Sequence, residues 1–240
     1  VQQVMFTLFF VDDLPTTVGA HYEFANEDAN HAIRVLRMQP GAEFMLSDGN
    51  GSWSQVKAVE VSKKSMQVQV IDSGYQEALA TTIIVVQALP KGDRSKEAIE
   101  LLTESGVDRI VPWAASRSIG KGTDKFAITA REASKQSRRF RIPHVLDLAT
   151  TAQICEAIKL SDLAIVFHES ATHKLSDQIS SHNVQNLLII IGPEGGITDE
   201  ELAAFQDAGA KVALMGRPIL RSAHAGIAAV SAVSALLKVW

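Results

Sequence analysis

Leu188-Ile189-Ile190-Ile191-Gly192-Pro193-Glu194-Gly195-Gly196-Ile197-Thr198-Asp199-Glu200-Glu201 runs from an apolar segment through a glycine-rich turn into an acidic helix start. Four successive branched residues with no polar alternation predict a strand covered on both faces. Thr198 has N-cap chemistry, and Glu201 three residues later predicts a capping box. Strand, turn and helix in this order belong to an α/β sheet, where ligands bind beyond the carboxyl ends of the strands. The glycines would let a ligand approach the backbone closely. The same turn would serve equally well as a plain strand–helix connection. No Gly-Lys-Ser/Thr is present, so the turn is not a P-loop, and its spacing is not that of a dinucleotide fingerprint.

The chain on either side continues the alternation. Ile83–Val86, Ile110-Val111, Leu163–Phe167, Leu187–Ile191 and Val212–Leu214 read as strands. Ser95–Ser105, Lys125–Arg138, Asp199–Ala208 and Ala223–Leu237 read as helices, the last rich in small residues. After the last strand comes Met215-Gly216-Arg217-Pro218-Ile219-Leu220-Arg221-Ser222, an irregular segment whose backbone groups are free to bond a ligand.

The first third reads differently. Thr7–Val11, Glu43–Leu46, Trp53–Val59 and Met66–Val70 are short strands, separated by turn signals such as Asp48-Gly49-Asn50-Gly51. Glu27–Leu36 is one short helix, and Asp72–Thr81 reads as a linker. Close strands with a single helix suggest a small β-barrel.

Net charge is −4, but it is unevenly spread. Residues 81–143 carry 12 basic and 7 acidic side chains, between two acidic segments. Such a basic region fits either a polyanion footprint or a solvated helix face. Cys155 is the only cysteine, so no internal disulfide forms, and it reads as a small apolar filler. The apolar start lacks a basic n-region and a small-residue cleavage site, which argues against a signal peptide. No apolar run reaches membrane-span length, and no His/Cys cluster has metal-ligand spacing.

Gly192-Pro193-Glu194-Gly195-Gly196 after a buried strand, followed by Leu214-x-Gly216-x-x-Ile219-Leu220-Arg221, resembles the RsmE family of ribosomal RNA methyltransferases, in the SPOUT superfamily. The likeness extends over nearly the whole chain. His31 with Val35-Leu36-Arg37, and Asp48-Gly49-Asn50-Gly51, match the family's N-terminal domain. Lys91-Gly92-Asp93, Thr103-Glu104, Ile110-Val111-Pro112, Arg117-Ser118, Gln136-Ser137 and Arg141-x-Pro143 follow in the family's order. The chain departs at Ser222-Ala223-His224-Ala225, where the family often has Thr-Glu-Thr-Ala, so Ala223 cannot supply a catalytic acid or base.

The resemblance implies an α/β protein with a PUA-like β-barrel over residues 1–73 and a SPOUT domain with a trefoil knot over residues 80–240. It implies methylation, using S-adenosyl-L-methionine (AdoMet), of N3 of a uridine in 16S ribosomal RNA of the small subunit. A knotted methyltransferase acting on another RNA, or a non-catalytic RNA-binding relative, are the alternatives. AdoMet would be held by Phe167 and His168, by Ile191, Gly192, Pro193, Glu194, Gly195 and Gly196, and by Leu214, Met215, Gly216, Ile219, Leu220, Ser222 and Ala225. Arg221 is the catalytic candidate, as a fork-shaped cation for charge developing on the uracil carbonyls. Pairing of Arg221 with Glu194 or with a backbone carbonyl is the structural alternative. RNA contacts are expected at Arg34, Arg37, Arg117, Lys121, Arg138, Arg139 and Arg141. A cytoplasmic homodimer is expected, with neither metal nor membrane.

Overall fold

The computed structural model describes residues 6–120, 122–179 and 183–239. The chain divides into two compact units, Val1–Ala78 with Ser134–Ile142, and Leu79–Ala133 with Pro143–Trp240.

In the first unit, β1 (Leu8–Phe10), β2 (His21–Phe24), α1 (Glu27–Arg34), β3 (Glu43–Ser47), β4 (Ser52–Val61) and β5 (Met66–Tyr75) follow one another. Their sheet has the order β1-β3-β4-β5-β2, antiparallel except for the β1–β3 pair. Alternation does the sorting: Val56 and Ala58 of β4 and Met66, Val68 and Val70 of β5 are buried while their neighbours are not. Phe9, Phe24 and Phe44 form the centre, with ring centroids 5.5–5.6 Å apart. Asn26 caps α1 by accepting from the Ala29 N–H.

Two expectations change here. The start of the expected linker is strand, because β5 continues through Asp72–Tyr75 opposite Ser52–Gln55. The segment 134–142 packs with the first unit. Phe140 stacks on Trp53 at 5.8 Å, and its carbonyl accepts from the Gly51 N–H. Arg141 donates to the Gln76 carbonyl and the Tyr75 hydroxyl, with its guanidinium 5.1 Å from the Tyr75 ring centre.

The second unit contains β6 (Thr82–Ala88), α2 (Arg94–Glu104), β7 (Arg109–Trp113), most of α3 (Phe126–Gln136), β8 (His144–Val145), α4 (Thr151–Lys159), β9 (Leu163–Phe167), α5 (Leu175–Gln178), β10 (Asn186–Ile191), α6 (Asp199–Asp207), β11 (Lys211–Ala213) and α7 (Ser222–Leu237). Its sheet is parallel throughout, in the order β11-β9-β10-β6-β7-β8. The continuous apolar run of β10 has its reason in the two cores. Leu187, Ile189 and Ile191 enter the one shared with α2 and α7, and Leu188 and Ile190 enter the one shared with α4 and α6.

The small residues of α7 also have a reason within the chain. A Cβ on Gly226 would stand 2.8 Å from Leu102 of α2, so glycine is what lets the two helices approach. Helix α3 stops at Gln136, earlier than its pattern suggests, and Arg138 is left-handed at φ 56°. Among the described residues, no helix is long and apolar enough to cross a membrane.

Candidate active site

A cleft of about 670 Å³ opens beyond the carboxyl ends of β9, β10 and β11, within the range of ligand sites. Those strands are neighbours in the sheet, in the order β11-β9-β10. Phe167, His168 and Glu169 line the cleft after β9, and Ile191 through Ile197 after β10. Leu214 through Ser222, with Ala225, line it after β11. All fifteen residues expected to hold a cofactor, and Arg221, lie on this one surface; Ile197, which the motif reading left out, joins them.

The segment after β11 is unusual for its exposure. Ile219 is 80% exposed and Leu220 41%, although both are apolar. Among the described residues, the backbone N–H groups of Met215, Gly216, Arg217, Ile219 and Leu220 have no backbone acceptor. An apolar face beside free donors suits a ligand with a flat ring and polar edges.

A buried relay ties the walls after β10 and β11 to the end of β6. Ser222, the first residue of α7, donates from Oγ to the Gly192 carbonyl at 2.7 Å. Gln87 at the end of β6, 1% exposed, donates from Nε2 to Ser222 Oγ at 3.0 Å and to the Ala88 carbonyl. The Ser222 hydroxyl therefore orients the Gly192 peptide. Gln87 was not singled out from sequence, because one polar residue closing an apolar strand carries no pattern.

Arg221 is the N-cap residue of α7, exposed, and its guanidinium has no partner among the described residues. The pairing with Glu194 does not form. Glu194 accepts instead from the Lys91 N–H at 3.3 Å and meets the Arg94 guanidinium at 3.5 Å. Arg221 thus leaves a free cation beside a helix N-terminus, and both favour negative charge.

The residues expected to touch RNA fall in both units. Arg34 and Arg37 are exposed at the end of α1, Arg37 at φ 53°, beside the exposed Val35 and Leu36. Arg117 belongs to the second unit and donates to the Gly195 carbonyl at 3.1 Å, at the edge of the cleft. Arg138 donates to the Phe6 carbonyl, Arg141 is engaged by Tyr75 and Gln76, and Arg139 also has an interaction of its own. Lys121 lies outside the described residues. Cys155 is half-buried against Ala204, and burial pushes its thiol up, away from the reactive thiolate. Among the described residues, no cluster of His, Cys, Asp or Glu could hold a metal ion.

Residues 77–234 match the RNA methyltransferase domain family, and residues 24–71 match the RNA methyltransferase PUA domain. The chain belongs to this family of RNA methyltransferases. It is 35% identical to the ribosomal RNA small subunit methyltransferase E of Mycobacterium bovis, over 97% of this chain and 93% of the relative. It is 27% identical to the Bacillus subtilis protein of the same name, over 93% of this chain and 91% of the relative. In structure it is similar to a methyltransferase from Legionella pneumophila solved with bound SAM, with a TM-score of 0.86 at 24% identity over 97% and 98% of the two chains. The Neisseria gonorrhoeae ribosomal RNA small subunit methyltransferase E bound to S-adenosyl methionine gives 0.85 at 23% identity, over the same shares. These two likenesses concern the fold, which is mixed α/β with a PUA domain toward the N-terminus.

Proposed function

We propose that the protein transfers a methyl group from AdoMet to N3 of a uridine in 16S ribosomal RNA of the small subunit. The carrying observation is the cleft at the ends of β9, β10 and β11, with exposed Ile219 and Leu220 beside unpaired backbone donors. The relatives, small-subunit ribosomal RNA methyltransferases and one bound to S-adenosyl methionine, support the class of RNA and the donor. The family also supports reading the path through these three strands as a SPOUT trefoil knot, and the protein as a cytoplasmic homodimer. The small residues of α7 are no argument for the dimer, since Gly226 is used against Leu102.

The residues fit the donor. Ile219 and Leu220 offer an apolar face for an adenine ring, and the neighbouring N–H groups can bond its edge. AdoMet, when bound, supplies an electrophilic methyl on a sulfonium. The chain holds the acceptor in line and excludes water. Losing the N3 proton leaves negative charge spread over the uracil ring. Arg221 and the start of α7, both on the cleft, would stabilise that charge. A target base stacked in RNA must be splayed out to reach the cleft.

The test is nucleoside mass spectrometry of 16S ribosomal RNA incubated with the purified protein and AdoMet. N3-methyluridine is the expected product. A different methylated nucleoside, or product only on another RNA, would move the assignment to another substrate. AdoMet binding without any product on any RNA would favour a non-catalytic relative.

A further expectation concerns the first unit. Arg34 and Arg37 are exposed and their guanidinium groups are uncommitted, whereas Arg138 and Arg141 are engaged within their own unit. Replacing both Arg34 and Arg37 by Gln should reduce the log–log salt slope of RNA affinity by about 2. Arg141→Gln should chiefly lower the melting temperature. Equal slopes for wild type and the double variant would take the end of α1 out of the RNA footprint.

A further inference from the structure

We propose that Glu201 is a positioning residue for RNA, acting through Ser116 to hold Arg117 at the rim of the cleft, where its guanidinium meets a phosphate flanking the target nucleotide. The proposal rests on the functional reading above for the identity of the RNA. Its geometry stands apart from that reading.

Glu201 lies in the first turn of α6 and is only 5% exposed. Capping needs just one of its oxygens. Oε2 accepts from the Thr198 N–H at 3.0 Å, and Thr198 Oγ1 accepts from the Glu201 N–H at 3.2 Å, which closes the box. The other oxygen is spent on a distant segment. Oε1 accepts from the Ser116 N–H at 2.8 Å and from Ser116 Oγ at 2.9 Å, with Thr151 Oγ1 at 3.5 Å. A glutamine could close a capping box, but its single acceptor oxygen could not serve Thr198 and Ser116 together. The second carboxylate oxygen therefore has a purpose beyond the helix end.

That purpose is visible one residue further on. Arg117 donates from one terminal nitrogen to the Gly195 carbonyl at 3.1 Å. A Cβ on Gly195 would stand 3.0 Å from the Arg117 Cβ, so the missing side chain is what lets the two segments meet. The strap between β7 and α3 is thus held at Ser116 by Glu201 and at Arg117 by the cleft loop. The guanidinium is exposed, and this bond uses one of its five N–H groups. Glu200, whose carboxyl is held below its usual range by its backbone hydrogen bond and by Thr198, also feels the Arg117 charge. An exposed, preoriented guanidinium fork beside a cleft for a flipped base matches the geometry of a phosphate.

The test is a double-mutant cycle read as RNA affinity without a methyl donor, on a 16S ribosomal RNA fragment, with AdoMet affinity and thermal melts measured alongside. Glu201→Ala and Arg117→Ala should each weaken RNA binding about tenfold, the worth of one charge-assisted contact. The double variant should be no weaker than either single one. Thr198→Ala, which removes only the cap, should lower the melting temperature and leave RNA affinity as it was. Ser116→Ala supplies a second cycle against Arg117→Ala should Glu201→Ala fail to fold. It should weaken RNA binding less, and not at all once Arg117 is gone. Multiplicative effects in the folded cycle, or a Thr198→Ala protein as weak as Glu201→Ala, would overturn the proposal. So would lost AdoMet affinity with RNA binding intact, which would give Arg117 to the carboxylate of the donor instead. An RNA other than 16S bound with the same coupling would refute the substrate reading and leave the Glu201–Arg117 device standing.

Discussion

Gly195→Val is expected to weaken AdoMet binding about 100-fold while the protein stays folded, on the ground that overpacking costs of this kind reach about 3 kcal/mol. Gly195 lines the cleft, and an added Cβ would lie 3.0 Å from the Arg117 Cβ and 3.3 Å from the Arg117 carbonyl oxygen. Valine adds two further methyls on that atom. The strap cannot retreat easily, because Ser116 is fixed to Glu201. The loop must move instead, and Pro193 to Gly196 form one wall of the cleft. The β10 core beneath does not depend on that loop, so a melting temperature within a few degrees of wild type is expected. Gly196→Ala makes an informative companion. Only Arg117, at 3.6 Å, stands near its added Cβ, but its φ of 78° strains any side chain there. Calorimetric titration of both variants reads the result. Wild-type AdoMet affinity in Gly195→Val would remove this loop from the donor site.

The part of this site that was legible in the sequence is the part with a short, local signature. Thr198 and Glu201 announce a capping box because the reciprocal bonds span three residues, and both bonds form. The same logic was available for α4, where Thr150 and Gln153 close an equivalent box. Its apolar stripe is short, with only Ile154 and Ile158 buried. Strand β2 was missed for a related reason. His21-Tyr22-Glu23-Phe24 buries only Phe24, so its pattern is too thin to register. What no local signature reveals is a contact between distant segments. Gln87 meets Ser222 across 135 residues, Glu201 meets Ser116 across 85, and Arg141 meets Tyr75 across 66. The last of these shows Arg141, and the Arg138 bond to the Phe6 carbonyl shows Arg138, engaged inside their own unit. Arginine suits a phosphate, a carbonyl or an aromatic face equally, and composition does not tell them apart.

Arg221→Ala is expected to lower the single-turnover methylation rate about 100- to 1000-fold at saturating AdoMet and RNA, the usual cost of losing one donor to developing charge. The structural reading of this arginine is a pair with Glu194 or with a backbone carbonyl; among the described residues neither forms, and that carboxylate is occupied by Arg94 and the Lys91 N–H. With no partner to lose, the variant should keep the melting temperature of wild type. Helix α7 should also keep its start, because the Arg221 carbonyl, present in any residue, accepts from the His224 and Ala225 N–H groups. The effect should therefore fall on the rate and not on either affinity, since the uracil ring gains charge only as its N3 proton leaves. The nearby His224 does not substitute: its Nε2 lies 3.1 Å from Glu97, away on α2. Arg221→Lys should recover little, because an ammonium is a point charge and cannot offer two parallel donors. A lower melting temperature with an unchanged single-turnover rate would make Arg221 a structural residue. Equal losses in rate and in AdoMet affinity would place its guanidinium on the donor and not on the acceptor.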